Sequence, residues 1–216
     1  MDGIDQCDAY AMADFADVNA AFVEAALTSF AGRAVTTLID LGCGPADITI
    51  RMCHALPELR ATAIDASAPM LAFGGRAASQ AGLADRLALH TAALPLPPPT
   101  RGYDAVISNS LLHHLPDPMT LWQEVKRQAH QRAVGSSLVY IMDLRRPDDT
   151  STAEQLVDTY AHGEPEVLRL DFYNSLLAAY RPDEIRDQLD AAGLHDLKVE
   201  TPTDRHIVVH GTACTG

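Results

Sequence analysis

Short apolar runs without polar alternation recur along the chain, and such runs are typical of strands buried on both faces of a parallel sheet. Five of them predict strands over Val35–Leu41, Ala61–Ile64, Arg86–Thr91, Tyr103–Asn109 and Ser137–Leu144. The stretches around them carry apolar residues at spacings of three or four, which predict helices at 8–31, 48–56, 67–81 and 119–132. Strands and helices therefore alternate, as they do in α/β proteins.

The last third of the chain has a different pattern. Residues 145–182 are longer than one connection needs, and they predict two helices that form a cap above the sheet. A helix that opens at Pro182 and ends near Gly193 follows, and short strands at 194–200 and 206–210 predict a hairpin. These elements predict a single Rossmann-like α/β domain over residues 1–216, with a seven-stranded, mostly parallel sheet, helices on both faces and an antiparallel C-terminal hairpin.

Composition excludes several classes of partner. The 216 residues carry a net charge of −13. This charge argues against binding to nucleic acid or to an anionic membrane surface, because a protein that binds either needs a positively charged face. No apolar stretch approaches the ~20 residues of a membrane span, and the first residues lack the basic and apolar regions of a signal peptide. The four cysteines show no Cys-x-x-Cys spacing, so neither zinc nor a disulfide framework is indicated. We expect a cytoplasmic protein, with no nucleic-acid partner and no membrane insertion.

The first predicted strand leads into a glycine-rich turn, Asp40-Leu41-Gly42-Cys43-Gly44-Pro45-Ala46-Asp47, and then into a helix. Such a unit presents backbone N–H groups and a helix N-terminus to a ligand, and glycine lets the ligand approach the main chain. Asp65 lies 23 residues beyond Gly42, where the second strand ends, and a carboxylate there suits the two hydroxyls of a ribose. The two features together predict an adenosine-type cofactor.

The order Asp40-x-Gly42-x-Gly44 resembles the first motif of the class I S-adenosylmethionine-dependent methyltransferases. A dinucleotide-binding turn would need a third glycine where this chain has Asp47, and the carboxylate of Asp47 would repel a pyrophosphate. S-adenosylmethionine carries no phosphate, so a more acidic loop suits it. One departure from the family's pattern is Ala46, which stands where many members have a glycine, and we expect it to alter the loop only slightly.

The resemblance implies S-adenosyl-L-methionine as the cofactor and assigns roles to residues of the first two strands. Gly42, Cys43 and Gly44 would line its amino-acid moiety. Asp40 would support the ammonium group of that moiety, and Asp65 would hold the ribose.

On the adenine side the chain departs from the family. Members usually carry an acid after the third strand, where it accepts a hydrogen bond from the adenine amino group, and Ala92 occupies this position here. In the absence of this acid, backbone groups of Ala92 and Ala93 would form the hydrogen bonds to the adenine edge. Ala66 and Met70 would flank the adenine and the ribose, and Asn109 would shape the mouth of the cofactor site.

The fourth strand runs into Leu111-Leu112-His113-His114-Leu115-Pro116-Asp117, which resembles the L-H-H-L-x-D segment of methyltransferases in the ubiquinone and menaquinone pathways. A histidine poised near neutral pH can remove a proton from an attacking hydroxyl, thiol or amine. We expect His113 to be this general base, because it is nearer the loop apex, and His114 to hold the loop to neighbouring backbone. Adjacent loop histidines seldom converge on one ion, so no metal is expected. Asp143 ends the fifth strand and points to the same crevice.

Aromatic residues concentrate in the predicted cap at 145–182, and insertions above the carboxyl ends of strands commonly shape substrate pockets. Tyr173, Asn174 and Arg181 are the substrate contacts that we expect there, while the cap's aromatics also serve as the core of a helical hairpin. The N-terminal helix at 8–31 packs on the sheet or closes as a lid, with Tyr10 as its expected substrate contact.

These residues predict methyl transfer from S-adenosylmethionine to a small-molecule acceptor, by in-line displacement in a desolvated pocket. Three alternatives stay open: a non-catalytic S-adenosylmethionine-binding module, a nucleotide-dependent oxidoreductase, and a methyltransferase that acts on protein or RNA. The sequence leaves open the acceptor atom (oxygen, nitrogen, sulfur or carbon) and the oligomeric state, a homodimer included.

Overall fold

A computed structural model describes residues 16–97, 101–130 and 136–213 of the chain. Within them, the strands are β1 Thr37–Leu41, β2 Arg60–Asp65, β3 Leu87–Thr91, β4 Ala105–Asn109, β5 Ser137–Leu144, β6 Leu197–Glu200 and β7 His206–Ala213. They form one seven-stranded sheet in the order β3-β2-β1-β4-β5-β7-β6. Neighbouring strands are parallel except at β7, which pairs antiparallel with β5 and with β6. The predicted sheet and its antiparallel hairpin are confirmed.

The helices of the described residues are α1 Ala16–Ser29, α2 Asp47–Ala55, α3 Ala68–Gln80, α4 Met119–His130, α5 Thr150–Tyr160, α6 Glu166–Ala178 and α7 Pro182–Ala192. A short 3₁₀ turn, Leu112–His114, follows β4. The ends of α3 and α7 agree with their local chemistry. The Ser67 hydroxyl accepts a hydrogen bond from the Met70 N–H at 3.4 Å, and Gly193 adopts a left-handed φ of 70° after α7. None of these helices is long and apolar enough to cross a membrane.

Two apolar cores lie on opposite faces of the sheet, because successive side chains along a strand point to opposite sides. On one face α1, α2 and α3 pack on the sheet through buried residues such as Phe22 and Met52. On the other face α4 and α7 pack through residues such as Trp122 and Ile185. Trp122 is fully buried, and its indole N–H donates to the side-chain amide oxygen (Oε1) of Gln188 at 2.8 Å.

The cap between β5 and α7 has a small core of its own. Leu156 and Val157 of α5 pack against Leu176 of α6, and Phe172 and Tyr173 lie partly buried against this cluster. The expectation that the cap's aromatics form its own core is therefore confirmed for these two residues.

The connection from β3 to β4 contains no helix in its described parts, residues 92–97 and 101–104. Side chains of α4 hold this connection in place. The fully buried Glu124 accepts a hydrogen bond from the Leu96 N–H at 3.1 Å, and Arg127 donates to the Leu96 carbonyl oxygen at 2.7 Å. Arg127 also pairs with Glu124 at 3.1 Å, so the acid is buried with its charge compensated.

The strand order reverses at β1, which has β2 on one side and β4 on the other. The chain leaves β1 toward one edge of the sheet and later returns to start β4 on the opposite side. Connections diverge at such a point and leave a crevice at the carboxyl ends of the strands, where α/β proteins bind their ligands. The topology therefore places a binding site after Leu41, Asp65 and Asn109.

Candidate functional site

A cavity of about 330 Å³ opens at this switch point. Its volume lies within the usual range of small-molecule sites. Its walls come from α1, the β1–α2 turn, the residues after β2 and the residues after β4. It is lined by Asn19, Asp40, Gly42, Cys43, Gly44, Pro45, Asp47, Ile48, Asp65, Ala66, Ser67, Met70, Asn109, Ser110, Leu111 and His114.

The two glycines of the turn are required for different reasons. Gly42 has a φ of 74°, and a Cβ on it would lie 2.9 Å from the side chain of Leu111, so neighbouring packing excludes a larger residue there. Gly44 has a φ of 55°, and a Cβ on it would meet no atom within 4 Å. The space in front of Gly44 therefore gives a ligand direct access to the main chain, as the sequence predicted for the turn as a whole.

The turn is also pressed against α3. Ala46 adopts a left-handed φ of 62° without being glycine, and a Cβ on Gly74 of α3 would lie 2.9 Å from the Pro45 carbonyl oxygen. Sequence reasoning missed Gly74, because nothing in the local pattern of α3 shows which residue faces the turn. The close approach of α3 fixes the turn from behind while its front stays open.

Asp65 is held by two backbone amides at the edge of the cavity. The Gly44 N–H donates to its Oδ2 at 2.8 Å, and the Ser67 N–H donates to its Oδ1 at 2.7 Å. A carboxylate offers about four acceptor positions, so each oxygen keeps capacity for a further donor. The side chain is thus oriented in advance to accept hydrogen bonds from a pair of vicinal hydroxyls.

Asp40 is buried beneath the turn, with only 2% of its surface exposed. The Thr49 hydroxyl donates to its Oδ2 at 2.5 Å. Burial raises the pKa of Asp40 to about 7, the Thr49 hydrogen bond opposes the rise, and the charge of Asp65 adds to it. Burial, together with the charges of Asp40 and Asp65, also raises the pKa of the Cys43 thiol, so this cysteine stays protonated.

The raised pKa of Asp40 predicts a pH-dependent stability. Between the unfolded value of 3.8 and the folded value of about 7, the folded protein keeps a proton that the unfolded chain has lost. We therefore expect the unfolding free energy of the wild type, relative to Asp40→Asn, to fall by ~3 kcal/mol as the pH rises from 4 to 7, at ~1.4 kcal/mol per pKa unit and with partial titration at both ends of the range. Urea unfolding across this range measures the difference. Exposed Glu58→Gln serves as the control, and curves for wild type and Asp40→Asn that stay parallel contradict the assignment.

Asn109 and Asn19 complete the polar lining. The Asn109 Oδ1 is buried and has no hydrogen-bond partner among the described residues, which is unusual for a native buried acceptor. Asn19 donates to the Asp47 carboxylate at 2.9 Å and so ties α1 to the start of α2. Arg51 donates to the same oxygen at 2.7 Å, so the charge of Asp47 is compensated.

The two histidines of the 3₁₀ turn differ in their exposure to solvent. The side chain of His113 is only 3% exposed, and its Nδ1 lies 2.5 Å from Oδ1 of the buried Asp143. Asp143 also accepts hydrogen bonds from the N–H groups of Leu112 and Leu144, each at 2.7 Å. His114 is exposed and lines the cavity. The expected accessibility was therefore wrong: His113 is the residue that holds the loop, because Asp143 at the end of β5 draws it inward.

The imidazole of His114 is neutral near pH 7. Its ring packs on that of His113 with the centroids 4.0 Å apart. The loss of water on this packed side lowers the pKa of His114, His113 lowers it further, and the charges of Asp143 and Asp171 oppose the shift. A neutral histidine that faces a cavity can accept a proton.

Several residues predicted to contact the cofactor or the substrate are not among the lining residues of this cavity. Ala92 and Ala93 are not among its lining residues, and the Ala92 N–H already donates to the Asp65 carbonyl oxygen at 2.9 Å. The same holds for Tyr173, which packs in the cap, for exposed Asn174, and for Arg181, whose N–H donates to Glu184. Tyr10 lies outside the described residues.

The central part of the chain matches a known protein family. Residues 38–131 match a family model described as "Methyltransferase domain". The matched range begins in β1 and ends after α4, so it contains the glycine turn, Asp65 and the two histidines.

Curated relatives share this region at moderate identity. An uncharacterized methyltransferase of Mycobacterium tuberculosis (strain H37Rv) is 35% identical over 83 residues, which are 38% of this chain and 40% of that protein. The 27-O-demethylrifamycin SV methyltransferase of Amycolatopsis mediterranei is 28% identical over 160 residues, which are 72% of this chain and 57% of that protein. The matches thus span about half of these relatives or less.

Solved structures resemble the whole fold. The plantazolicin methyltransferase BpumL, crystallised with a desmethylPZN analog and SAH, superposes with a TM-score of 0.69. The superposition covers 96% of this chain and 89% of that chain at 13% sequence identity. At this identity the likeness concerns the fold alone.

Proposed function

We propose that this chain, a member of the class I S-adenosylmethionine-dependent methyltransferase family, transfers a methyl group from S-adenosylmethionine to a hydroxyl group of a small molecule. The proposal is carried by one cavity that combines an oriented carboxylate at Asp65, open main chain at Gly44 and a neutral histidine at His114. The likeness to a methyltransferase named for the 27-O position of a rifamycin supports an oxygen acceptor.

The residues of the cavity fit the cofactor by their chemistry. Asp65 would hold the ribose hydroxyls, and the open face of Gly44 would receive the amino-acid moiety. That moiety carries an ammonium group, which matches the orphaned Oδ1 of Asn109 and the buried carboxyl of Asp40. Ala66 and Met70 line the same cavity and would pack against the nucleoside. Backbone groups of Ala92 and Ala93, other than the Ala92 N–H that donates to Asp65, would form hydrogen bonds with the adenine edge.

The bound cofactor supplies an activated methyl group on a sulfonium, which is already a good leaving group. The chain's own residues therefore have two tasks, which are to align an acceptor with the methyl group and to keep water out. Alignment of this kind can supply ~7–11 kcal/mol of the barrier. The 3₁₀ turn performs it here, because Asp143 fixes its backbone at Leu112 and its side chain at His113.

His114 is the proposed general base. It is neutral at physiological pH, because its pKa is lowered, and it lines the cofactor cavity. An acceptor hydroxyl beside it would lose its proton to the imidazole as the oxygen attacks. His113, the base expected from the sequence, is assigned to positioning instead, because its Nδ1 is paired with Asp143.

Asp143 is a positioning residue in this proposal. Asp143→Asn places an amide N–H₂ against neighbouring N–H donors, so we expect kcat to fall about 10-fold while SAH affinity stays within twofold. The negative charge of Asp143 raises the pKa of His114, so its removal should also shift the acid limb of the kcat–pH profile to lower pH. Steady-state kinetics between pH 5 and pH 9 measure both effects. A variant with unchanged kcat and an unmoved acid limb shows that Asp143 does not act through the histidines.

The activity is tested with tritiated S-adenosylmethionine and a panel of phenols and alcohols, scored by transfer of label to the organic phase. We expect at least one hydroxyl acceptor to be labelled by the wild type. Gly44→Val, which fills the open space of the turn, should abolish the labelling. Tight binding of SAH without transfer to any panel member would favour the non-catalytic binding module instead.

A further inference from the structure

A second cavity lies on the α1 face of the sheet, away from the cofactor cavity. It has a volume of about 470 Å³ and shares no lining residue with the first. The exposed flank of helix α1 forms one wall, and the middle of β5, the middle of β7 and the end of β6 form the floor. It is lined by Ala21, Glu24, Ala25, Thr28, Ser29, Tyr140, Glu200, Pro202, Val208 and His210.

The polar groups on the floor of this cavity use only part of their hydrogen-bonding capacity; a hydrogen bond of 3.4 Å joins His210 Nδ1 to the Ser29 hydroxyl. Tyr140 is only 5% exposed, and its ring is fixed by edge-to-face contact with Phe22 at 5.1 Å. No hydrogen bond to the Tyr140 hydroxyl is present among the described residues. His210 Nε2 is buried and lacks a hydrogen bond, although Oε1 of Glu200 lies 3.2 Å away. A buried ring nitrogen without a hydrogen bond, such as His210 Nε2, is rare unless a ligand or water completes it.

The chemistry of the lining favours a cation. Tyr140, His210 and Glu200 offer acceptors on neighbouring strands, and Glu24 adds a second carboxylate at the rim. None of the described residues that line the cavity is Lys or Arg, so no fixed positive charge balances the two acids. A primary ammonium carries three N–H donors, which matches this number of acceptor groups.

The apolar residues of the lining indicate the chemistry of the ligand beyond its ammonium group. Ala21 and Ala25 of α1 face Pro202 and Val208, which gives the cavity apolar walls beside its polar floor. Apolar walls suit an organic amine better than a bare ion. The described residues also contain no group of three or more His, Cys, Asp or Glu side chains arranged to hold a metal ion.

We infer that this cavity is a second binding site, which takes a small organic amine with its ammonium on Tyr140, His210 and Glu200 and its apolar body between α1 and β7. The site is independent of the cofactor cavity and of the proposed methyl transfer. The ligand would lie along the exposed flank of helix α1, against the strands that form the floor.

The inference is tested by calorimetric titration of the full chain with 2-phenylethylamine at pH 7, with 2-phenylethanol as the neutral isostere. We expect saturable binding of the amine and at least 10-fold weaker binding of the alcohol. Glu200→Gln should weaken amine binding about 10-fold, and Tyr140→Phe, which keeps the ring on Phe22, several-fold. Glu58→Gln, which removes an exposed acid elsewhere, should leave the affinity unchanged.

Saturating SAH separates the two cavities. Amine binding should persist in its presence, because the lining residues do not overlap. The inference is overturned if the wild type shows no saturable amine binding, if the alcohol binds equally well, or if Glu200→Gln and Tyr140→Phe bind like the wild type. Competition between the amine and SAH would likewise overturn it, since the amine would then occupy the cofactor cavity.

Discussion

His114→Ala is expected to lower kcat by about 10²–10⁴-fold, the usual contribution of a positioned general base, while SAH affinity changes less than threefold. The physical reason is that His114 is the neutral imidazole on the cofactor cavity, whereas His113 is buried against Asp143. The base must be unprotonated, so wild-type kcat should rise with pH through a pKa below the ordinary 6.5 of histidine and stay level above it. Initial rates between pH 5 and pH 9 measure this profile.

His54→Ala is the matched control, since His54 is an exposed histidine in the last turn of α2. It should retain wild-type kcat and the wild-type pH profile. Full turnover by His114→Ala, with the acid limb still present, would remove His114 from the mechanism and leave methyl transfer to depend on alignment alone.

Asp65→Ala is expected to weaken SAH binding by about two orders of magnitude. Hydrogen bonds to a charged group contribute ~1.5–3 kcal/mol each, and ~3 kcal/mol corresponds to about 100-fold in affinity. The substitution also releases the N–H groups of Gly44 and Ser67, which the carboxylate now orients. Calorimetric titration with SAH measures the affinity directly.

Two variants show whether the effect belongs to the charge or to the shape. Asp65→Asn keeps the size of the side chain and one acceptor oxygen, so its affinity should fall between that of Asp65→Ala and that of the wild type. Glu58→Gln removes a negative charge at an exposed position and should bind SAH normally. An unchanged affinity in Asp65→Ala would show that the ribose does not lie on this carboxylate.

Local patterns in the sequence predicted the strands that form the site and the turn and carboxylate at their ends. The buried strands are continuous apolar runs, and the ends of β1 and β2 locate the glycine turn and Asp65 at one edge of the sheet. The topology then brings these residues together at β1, because parallel strands share their carboxyl ends. Gly42, Gly44 and Asp65 could therefore be assigned to one cavity before the structure was known.

The roles of the two histidines could not be predicted, because they depend on a contact across the sheet. Asp143 is 30 positions from His113 and becomes its neighbour only where β5 pairs with β4. The same limit applies to Gly74 against Pro45 and to the Thr49 hydroxyl on Asp40. Such contacts are set by how helices pack on the sheet, which hydrophobic periodicity does not specify.

A crystal structure with bound SAH tests the central claim most directly, because it shows where the nucleoside lies. The account predicts the ribose hydroxyls within hydrogen-bonding distance of Asp65, the amino-acid moiety along Gly44 and the sulfur facing the side of the cavity that His114 lines. A nucleoside bound elsewhere, or a crystal that takes up no SAH at saturating concentration, would contradict the account.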